Sequence, residues 1–140
     1  MVSPRMPVYV FDSSAVIRYI DNESGAERIV SILKSCVAGR SRICMSAVQW
    51  GEVAGNIRKR AGATEETRIL SLLPSEIEII SAAAHNAVRA AALKVDHKIS
   101  YADAFALDLA MQSADHVLLT ADYVFKAVED LVRIEFLPPK

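Results

Sequence analysis

Two cysteines, Cys36 and Cys44, are all that this 140-residue chain offers in thiol chemistry. They are too few and too isolated for a disulfide framework or a metal-ligand spacing, and they read as small core residues of a reducing cytosol. No stretch reaches the roughly 18 consecutive apolar residues of a membrane-spanning helix. The start also lacks a basic region followed by an apolar signal core. The expectation is a cytoplasmic protein with no membrane partner. Neither sign of charge prevails, since 16 Lys and Arg stand against 17 Asp and Glu. Such a chain is not a general nucleic-acid coat, so any RNA binding must rest on local basic clusters and on metal. Internal repeats, low-complexity tracts and linkers are absent as well.

What the chain has in plenty is apolar surface, with 52% hydrophobic and only 24% charged residues. That is enough to build the core of one compact domain over residues 1–140, with Met1 to Arg5 as a short frayed lead. It is also more than a small monomer normally leaves exposed, which predicts a homodimer.

Short apolar runs at Val8 to Phe11, Ile43 to Met45, Ile77 to Ile80, Val117 to Thr120 and Val132 to Leu137 lack polar alternation. Such runs suit strands buried on both faces of a mostly parallel sheet. Helical patterns fall between them at about Ser14 to Ile20, Ala26 to Ala38, Ala47 to Arg60, Glu65 to Leu73, Ala82 to Val95, Tyr101 to Ser113 and Tyr123 to Leu131. Strands alternating with helices predict an α/β sandwich. Gly39, Gly62 and Pro74 read as helix stops. Ser46 with Gln49, and Ser100 with Asp103, have the spacing of capping boxes at two helix starts. The Ala-rich helix over Ala82 to Ala92 is expected to pack closely on a neighbour.

Chemistry enters with the acids. Asp12 directly follows the first strand and opens a polar turn, at the strand end where open α/β sheets bind ligands. Glu52, Asp103 and Asp122 recur at comparable junctions. Each aspartate has an ordinary alternative: Asp12 and Asp122 can cap helices, and Asp103 can serve the Ser100 box. Glu52 lies mid-helix beside Gly51 and Gly55, and interior glycines cost about 1 kcal/mol each, so they suggest a close approach by another helix or a ligand. Taken jointly, the strands of a parallel sheet run one way and can bring the acids to one edge. Carboxylates crowded there push one another's pKa up unless a cation or helix amides compensate, which is the chemical reason to expect Mg²⁺ or Mn²⁺.

Phe11-Asp12-Ser13-Ser14-Ala15-Val16-Ile17, Glu52 on a helix after Met45-Ser46, Ile99-Ser100-Tyr101-Ala102-Asp103-Ala104-Phe105-Ala106-Leu107 and Leu118-Leu119-Thr120-Ala121-Asp122 resemble, in that order, the motifs of PIN-domain ribonucleases. The overall length is closest to the VapC-type toxins of toxin–antitoxin pairs, and the resemblance runs from Val8 to Leu137. It implies a three-layer PIN-like sandwich, with a five-stranded sheet flanked by about seven helices. It implies that Asp12, Glu52, Asp103 and Asp122 form the acidic quartet that holds Mg²⁺ or Mn²⁺, supported by the Ser14 and Thr120 hydroxyls. The implied activity is endoribonuclease cleavage by in-line attack of water, leaving a 5′-phosphate and a 3′-hydroxyl. The implied partners are an RNA substrate and a small antitoxin protein. A catalytically silent PIN-like module that binds RNA or protein is the chief alternative. A phosphatase of the haloacid-dehalogenase type is disfavoured, because Asp12-Ser13-Ser14 lacks the second Asp two residues on.

Around that set, Asp108 lies five residues after Asp103 and so points roughly 140° away on a helix. Asp21 and Asp115 read as loop acids, and His85, His97 and His116 as surface or packing residues. Arg58, Lys59 and Arg60 with Arg68, Arg40 with Arg42, and Lys94 with His97 and Lys98 are the basic clusters that can contact RNA phosphates or simply be solvated. Tyr101 and Trp50 can stack on bases or fill the core.

Overall fold

A computed structural model describes residues 6–140; the lead over Met1 to Arg5 lies outside the described residues. The elements run β1 (Val8–Phe11), α1 (Ser13–Ile20), α2 (Ala26–Val37), β2 (Arg42–Ser46), α3 (Ala47–Leu72), β3 (Ile77–Ile80), α4 (Ala84–His97), α5 (Tyr101–Ala110), β4 (His116–Thr120), a 3-10 helix (Tyr123–Val128) and β5 (Arg133–Phe136). The five strands form one sheet in the order β3-β2-β1-β4-β5. Every pairing is parallel, with Val10 opposite both Cys44 and Leu118.

The strands read as unbroken apolar runs because both faces of the sheet are covered. Successive side chains alternate between two cores. Val10, Cys44 and Leu118 enter one core with Ala90 of α4, Ala104 to Ala106 of α5 and Phe125 of the 3-10 helix. Phe11, Ile43, Met45 and Leu119 enter the other with Val16 of α1, Ile29 and Ile32 of α2, and Val53 and Ile57 of α3. Each Val, Leu, Ile, Phe or Met among them contributes roughly 1.5–3 kcal/mol when taken fully from water.

The helix stops follow backbone chemistry. Gly39, at φ +75°, ends α2: its N–H donates to the Cys36 carbonyl and the Arg40 N–H to the Ser35 carbonyl, a pattern that needs a left-handed residue. Gly62 inside α3 stands at φ 89°, ψ 172°, so the two expected helical segments are two arms broken at this glycine. Two expectations change. The segment after Asp122 is a 3-10 helix of six residues, because little chain separates its cap from β5. The expected close approach at Gly51 and Gly55 by another helix is absent, since a Cβ at either would meet nothing within 4 Å. The Ala-rich α4 packs closely on α5 as expected, with Ala90 buried on its inner side while Val88 and Val95 are 71% and 74% exposed. No helix among the described residues is long and apolar enough to cross a membrane.

The strand order places a topological switch at the β1–β4 pair. From β1 the chain moves outward through β2 to β3, then returns through α4 and α5 to β4 and β5 on the other side. The carboxyl ends of β1 and β4, where the connections diverge, frame the crevice in which doubly wound sheets bind ligands.

Candidate active site

Asp12 is the first residue past β1 and caps α1, its Oδ1 accepting the Ala15 N–H at 3.0 Å. The side chain thus caps a helix at the very strand end where a ligand site is expected. Ser14 Oγ donates to the same oxygen at 2.7 Å, and Thr120 Oγ1 donates to Oδ2 at 2.5 Å. The two hydroxyls are themselves held, Ser14 Oγ by the Ala121 N–H and Thr120 Oγ1 by the Asp122 N–H, both at 2.9 Å. Asp12 is 2% exposed. Burial pushes its carboxyl up to about 6; the Thr120, Ser14 and Ala15 hydrogen bonds pull it down, and the charge of Asp103 pushes it further up.

Asp103 sits in the first turn of α5, where its N–H donates to Ser100 Oγ at 3.0 Å. Burial raises its carboxyl pKa, the Ser100 bond lowers it, and the charges of Asp122 and Glu52 raise it. These influences link the four acids: Asp12 feels Asp103, and Asp103 feels Asp122 and Glu52. Asp122 caps the 3-10 helix through the Val124 N–H at 3.0 Å, and Glu52 is exposed on α3. Among the described residues, however, no three His, Cys, Asp or Glu side chains stand close enough to hold one metal ion. The donor chemistry fits a hard divalent cation, since the set is all carboxylate and neighbouring negative charge adds to burial in raising the pKa of Asp12 and Asp103. A cation would offset that repulsion.

One residue at this edge escaped the sequence reading. Gln49 was expected to complete the Ser46 capping box. Ser46 Oγ accepts from Val48 N–H at 3.2 Å, but the Gln49 side chain leaves the box and enters the core, accepting the Ser13 N–H at 2.7 Å and donating to the Ala102 carbonyl at 2.6 Å. A glutamine among apolar neighbours three residues past an apolar strand was the available signal.

The PIN domain family model matches residues 9–131. The chain belongs to the PIN domain family. Its fold is shared with the VapBC2 complex of Rickettsia felis bound to a promoter DNA fragment, at TM-score 0.72 and 18% identity over 94% of this chain and 99% of that one. A toxin–antitoxin complex from Klebsiella pneumoniae is similar at TM-score 0.68 and 21% identity, covering 94% of this chain and 99% of that one. Mycobacterium tuberculosis VapC20, a sarcin-ricin loop cleaving toxin, is similar at TM-score 0.70 and 16% identity, covering 93% and 99%. Among curated proteins no match is found.

The basic residues of this PIN domain lie less conveniently. Arg40 and Arg42 stand at the amino end of β2, so a strand length of roughly 15 Å separates them from the acids; Arg42 pairs there with Glu78 at 3.3 Å. Arg58 and Arg60 pair with Glu66 and Asp21 at 3.1 and 2.8 Å, which leaves Lys59 exposed between them. Asp21 is thus an ion-pair partner rather than a merely solvated acid. Lys98 ends α4 just before the Ser100 cap and comes nearest in sequence to Asp103. Tyr101 is 42% exposed, edge-on to Phe105, whereas Trp50 packs against the core. Asp108 is buried away from the quartet, bound by Arg89 at 2.7 Å.

Proposed function

We propose that this PIN domain is a metal-dependent endoribonuclease, the toxin of a toxin–antitoxin pair. The observation that carries the reading is the Asp12 carboxylate. It is buried at the topological switch point, fastened on both oxygens, and within the field of Asp103, which in turn feels Glu52 and Asp122. A purely structural cap has no need of that cost. Asp12, Asp103 and Asp122 would hold Mg²⁺ or Mn²⁺, with Glu52 beside them. Such an ion supplies Lewis acidity toward a phosphate and lowers the pKa of water.

The protein's own residues supply the rest. Ser14 and Thr120 keep Asp12 in one rotamer and lock the β1 end to the β4 end. Glu52, exposed on α3, can orient the attacking water and take its proton. RNA phosphates meet the cations nearest this edge, Lys98 foremost, then Lys59, Arg58 and Arg60 along α3. The latter group begins six residues beyond Glu52, about 9 Å along the helix axis. Arg40 and Arg42 have no part in this path.

The toxin assignment is supported by the fold shared with the VapBC complexes. The partner would be a small antitoxin that offers Arg or Lys to the acids in place of the metal's charge. Two copies would pair through apolar helix surface such as the exposed Val88 and Val95 of α4. The reading that competes is a silent PIN module, favoured by the lack of a closed three-carboxylate cage among the described residues.

Purified protein incubated with single-stranded RNA separates the two. Cleavage that requires Mg²⁺ or Mn²⁺ and stops on chelation supports the nuclease; no cleavage with either metal supports the silent module. Expression of the chain alone should slow bacterial growth. Harmless high expression would remove the toxin role and leave the nuclease standing.

A further inference from the structure

Gln49 is 1% exposed. Burying an amide costs several kcal/mol unless every polar atom finds a partner, and an apolar residue of similar size would fill the same space without that cost. Its partners explain its presence. The Ser13 N–H is one of the free amides at the start of α1, and Ser13 directly follows Asp12. The Ala102 carbonyl lies in the first turn of α5, and Ala102 directly precedes Asp103. These partners are 36 and 53 residues away in sequence. Only one orientation of the amide satisfies both, because the N–H needs an acceptor and the carbonyl a donor. Glu52 lies three residues further along the same helix, one turn away.

The other fastenings of the edge run elsewhere. Ser14 and Thr120 tie Asp12 to the end of β4 and to Asp122. Among the described residues, Gln49 makes the only side-chain hydrogen bonds that join the start of α1 to the start of α5.

We propose that Gln49 is the positioning residue of the acidic edge, setting the separation of the Asp12 and Asp103 carboxylates and carrying Glu52 into register with both. The inference rests on the nuclease reading for its function, while its geometry stands independently. Gln49 touches no reacting atom in this scheme. It acts through the backbone on either side of the ligands, and groups that orient metal ligands from behind typically change affinity or activity 10–100-fold when lost.

The test compares Gln49→Met, Gln49→Glu and Val53→Ala. Methionine keeps the volume and removes both bonds. Glutamate keeps the acceptor for Ser13 and, ionised in assays run at alkaline pH, loses the donor for Ala102, so it holds one side of the bridge if methionine prevents folding. Val53 is fully buried on α3 in the core cluster with Met45 and Ile57 and makes no side-chain hydrogen bond to the edge, so its alanine variant supplies a loss of stability with both Gln49 bonds kept. Each protein is melted in chelator, titrated with Mn²⁺ by electron paramagnetic resonance, and assayed on single-stranded RNA. Both Gln49 variants should bind Mn²⁺ about tenfold more weakly or worse and lose kcat about tenfold or more, with KM within about threefold of wild type. Val53→Ala should melt lower yet keep wild-type Mn²⁺ affinity and kcat. Gln49 variants that match Val53→Ala in both readouts would show a packing residue and overturn the positioning role while the nuclease survives. A wild type that neither binds Mn²⁺ nor cleaves would remove the nuclease reading and the positioning role together.

Discussion

The two edges of the sheet are made from the same strands and differ in nearly every physical respect. At the carboxyl edge Asp12, Ser46 and Thr120 are buried polar residues, the starts of α1, α3, α5 and the 3-10 helix gather there, and a carboxyl is pushed up to about 6. At the amino edge the charges are solvated: Arg42 and Glu78 pair at 65% and 56% exposure. A hollow of about 430 Å³ lies on that amino side, lined by Met111, His116, Asp130 and Arg133 among others. A larger hollow lies beside α1 and α2, lined by Tyr19, Ala26 and Val30 among others, so size does not choose a site, whereas chemistry chooses the edge that holds the buried acid. Buried charge whose cost is only partly offset is the stronger sign of function.

The largest break between the edges should appear in catalysis. Asp12→Asn or Asp103→Asn should lower metal-dependent RNA cleavage by roughly a hundredfold or more, since each removes a charge from a set that acts as a unit. Arg42→Ala at the amino edge should leave kcat/KM within about twofold. Steady-state cleavage of one RNA by identically purified proteins gives the answer. Equal losses at the two edges would mean that RNA, and not metal, is what both edges hold.

Much of this contrast is legible in the chain. The strands are legible because a sheet covered on both faces leaves no polar alternation: Val8–Phe11 and Ile77–Ile80 fall on their expected bounds. Gly62 was found because a left-handed residue interrupts a helix wherever it occurs. What could not be read were relations at a distance. Gln49 has a capping-box spacing to Ser46, but two buried backbone groups from α1 and α5 draw its amide away, and neither is near in sequence. Arg40 and Arg42 look like any basic pair until the strand direction sets them at the far edge. Gly51 and Gly55 signalled a neighbour, and their outer surface is open. In the chain the acids read as caps or ligands, and Asp12 does cap α1 while hydroxyls hold both of its oxygens at the switch point.

Protonation should sharpen the comparison. In the metal-free protein Asp12 has a folded pKa raised from 3.8 to about 6, chiefly by burial. Below pH 3.8 the group is protonated in both folded and unfolded chains, and its contribution to stability is fully present. As pH rises through about 6 the unfolded chain has already released its proton while the folded chain resists, so stability is lost, on the order of 3 kcal/mol in total. The difference between wild type and Asp12→Asn, unfolded by urea in chelator from pH 4 to 8, isolates this term from the other acids. Wild type should fall relative to the variant as pH rises. A flat difference would mean that the hydrogen bonds from Thr120, Ser14 and Ala15 fully offset burial.

Metal should reverse that trend at the same edge. An ion that binds only the folded state adds RT ln(1 + [L]/Kd), about 2.7 kcal/mol at a hundredfold excess over Kd. Protons compete for the same oxygens, so the gain should grow as pH rises past about 6. Melting in chelator and in millimolar Mn²⁺ should give a large shift for wild type and a much smaller one for Asp103→Asn. Equal shifts in the two proteins would take Asp103 out of the metal site and leave it as a helix-start residue beside Ser100.

The smallest effect belongs to the amino edge. Glu78 meets Arg42 at 3.3 Å with both side chains more than half exposed, so water screens the pair and ordering two long side chains offsets much of its attraction. Such exposed pairs typically contribute about 0.2–1 kcal/mol. Glu78→Gln should therefore change urea stability by less than about 1 kcal/mol, weaken further in high salt, and leave the Mn²⁺ shift as it is in wild type. Chemical denaturation at low and high salt checks the first two, and the melting experiment checks the third. A larger loss, or a changed response to Mn²⁺, would mean that charge at the far ends of the strands reaches the acids, and the sheet could no longer be divided into an inert edge and a reactive one.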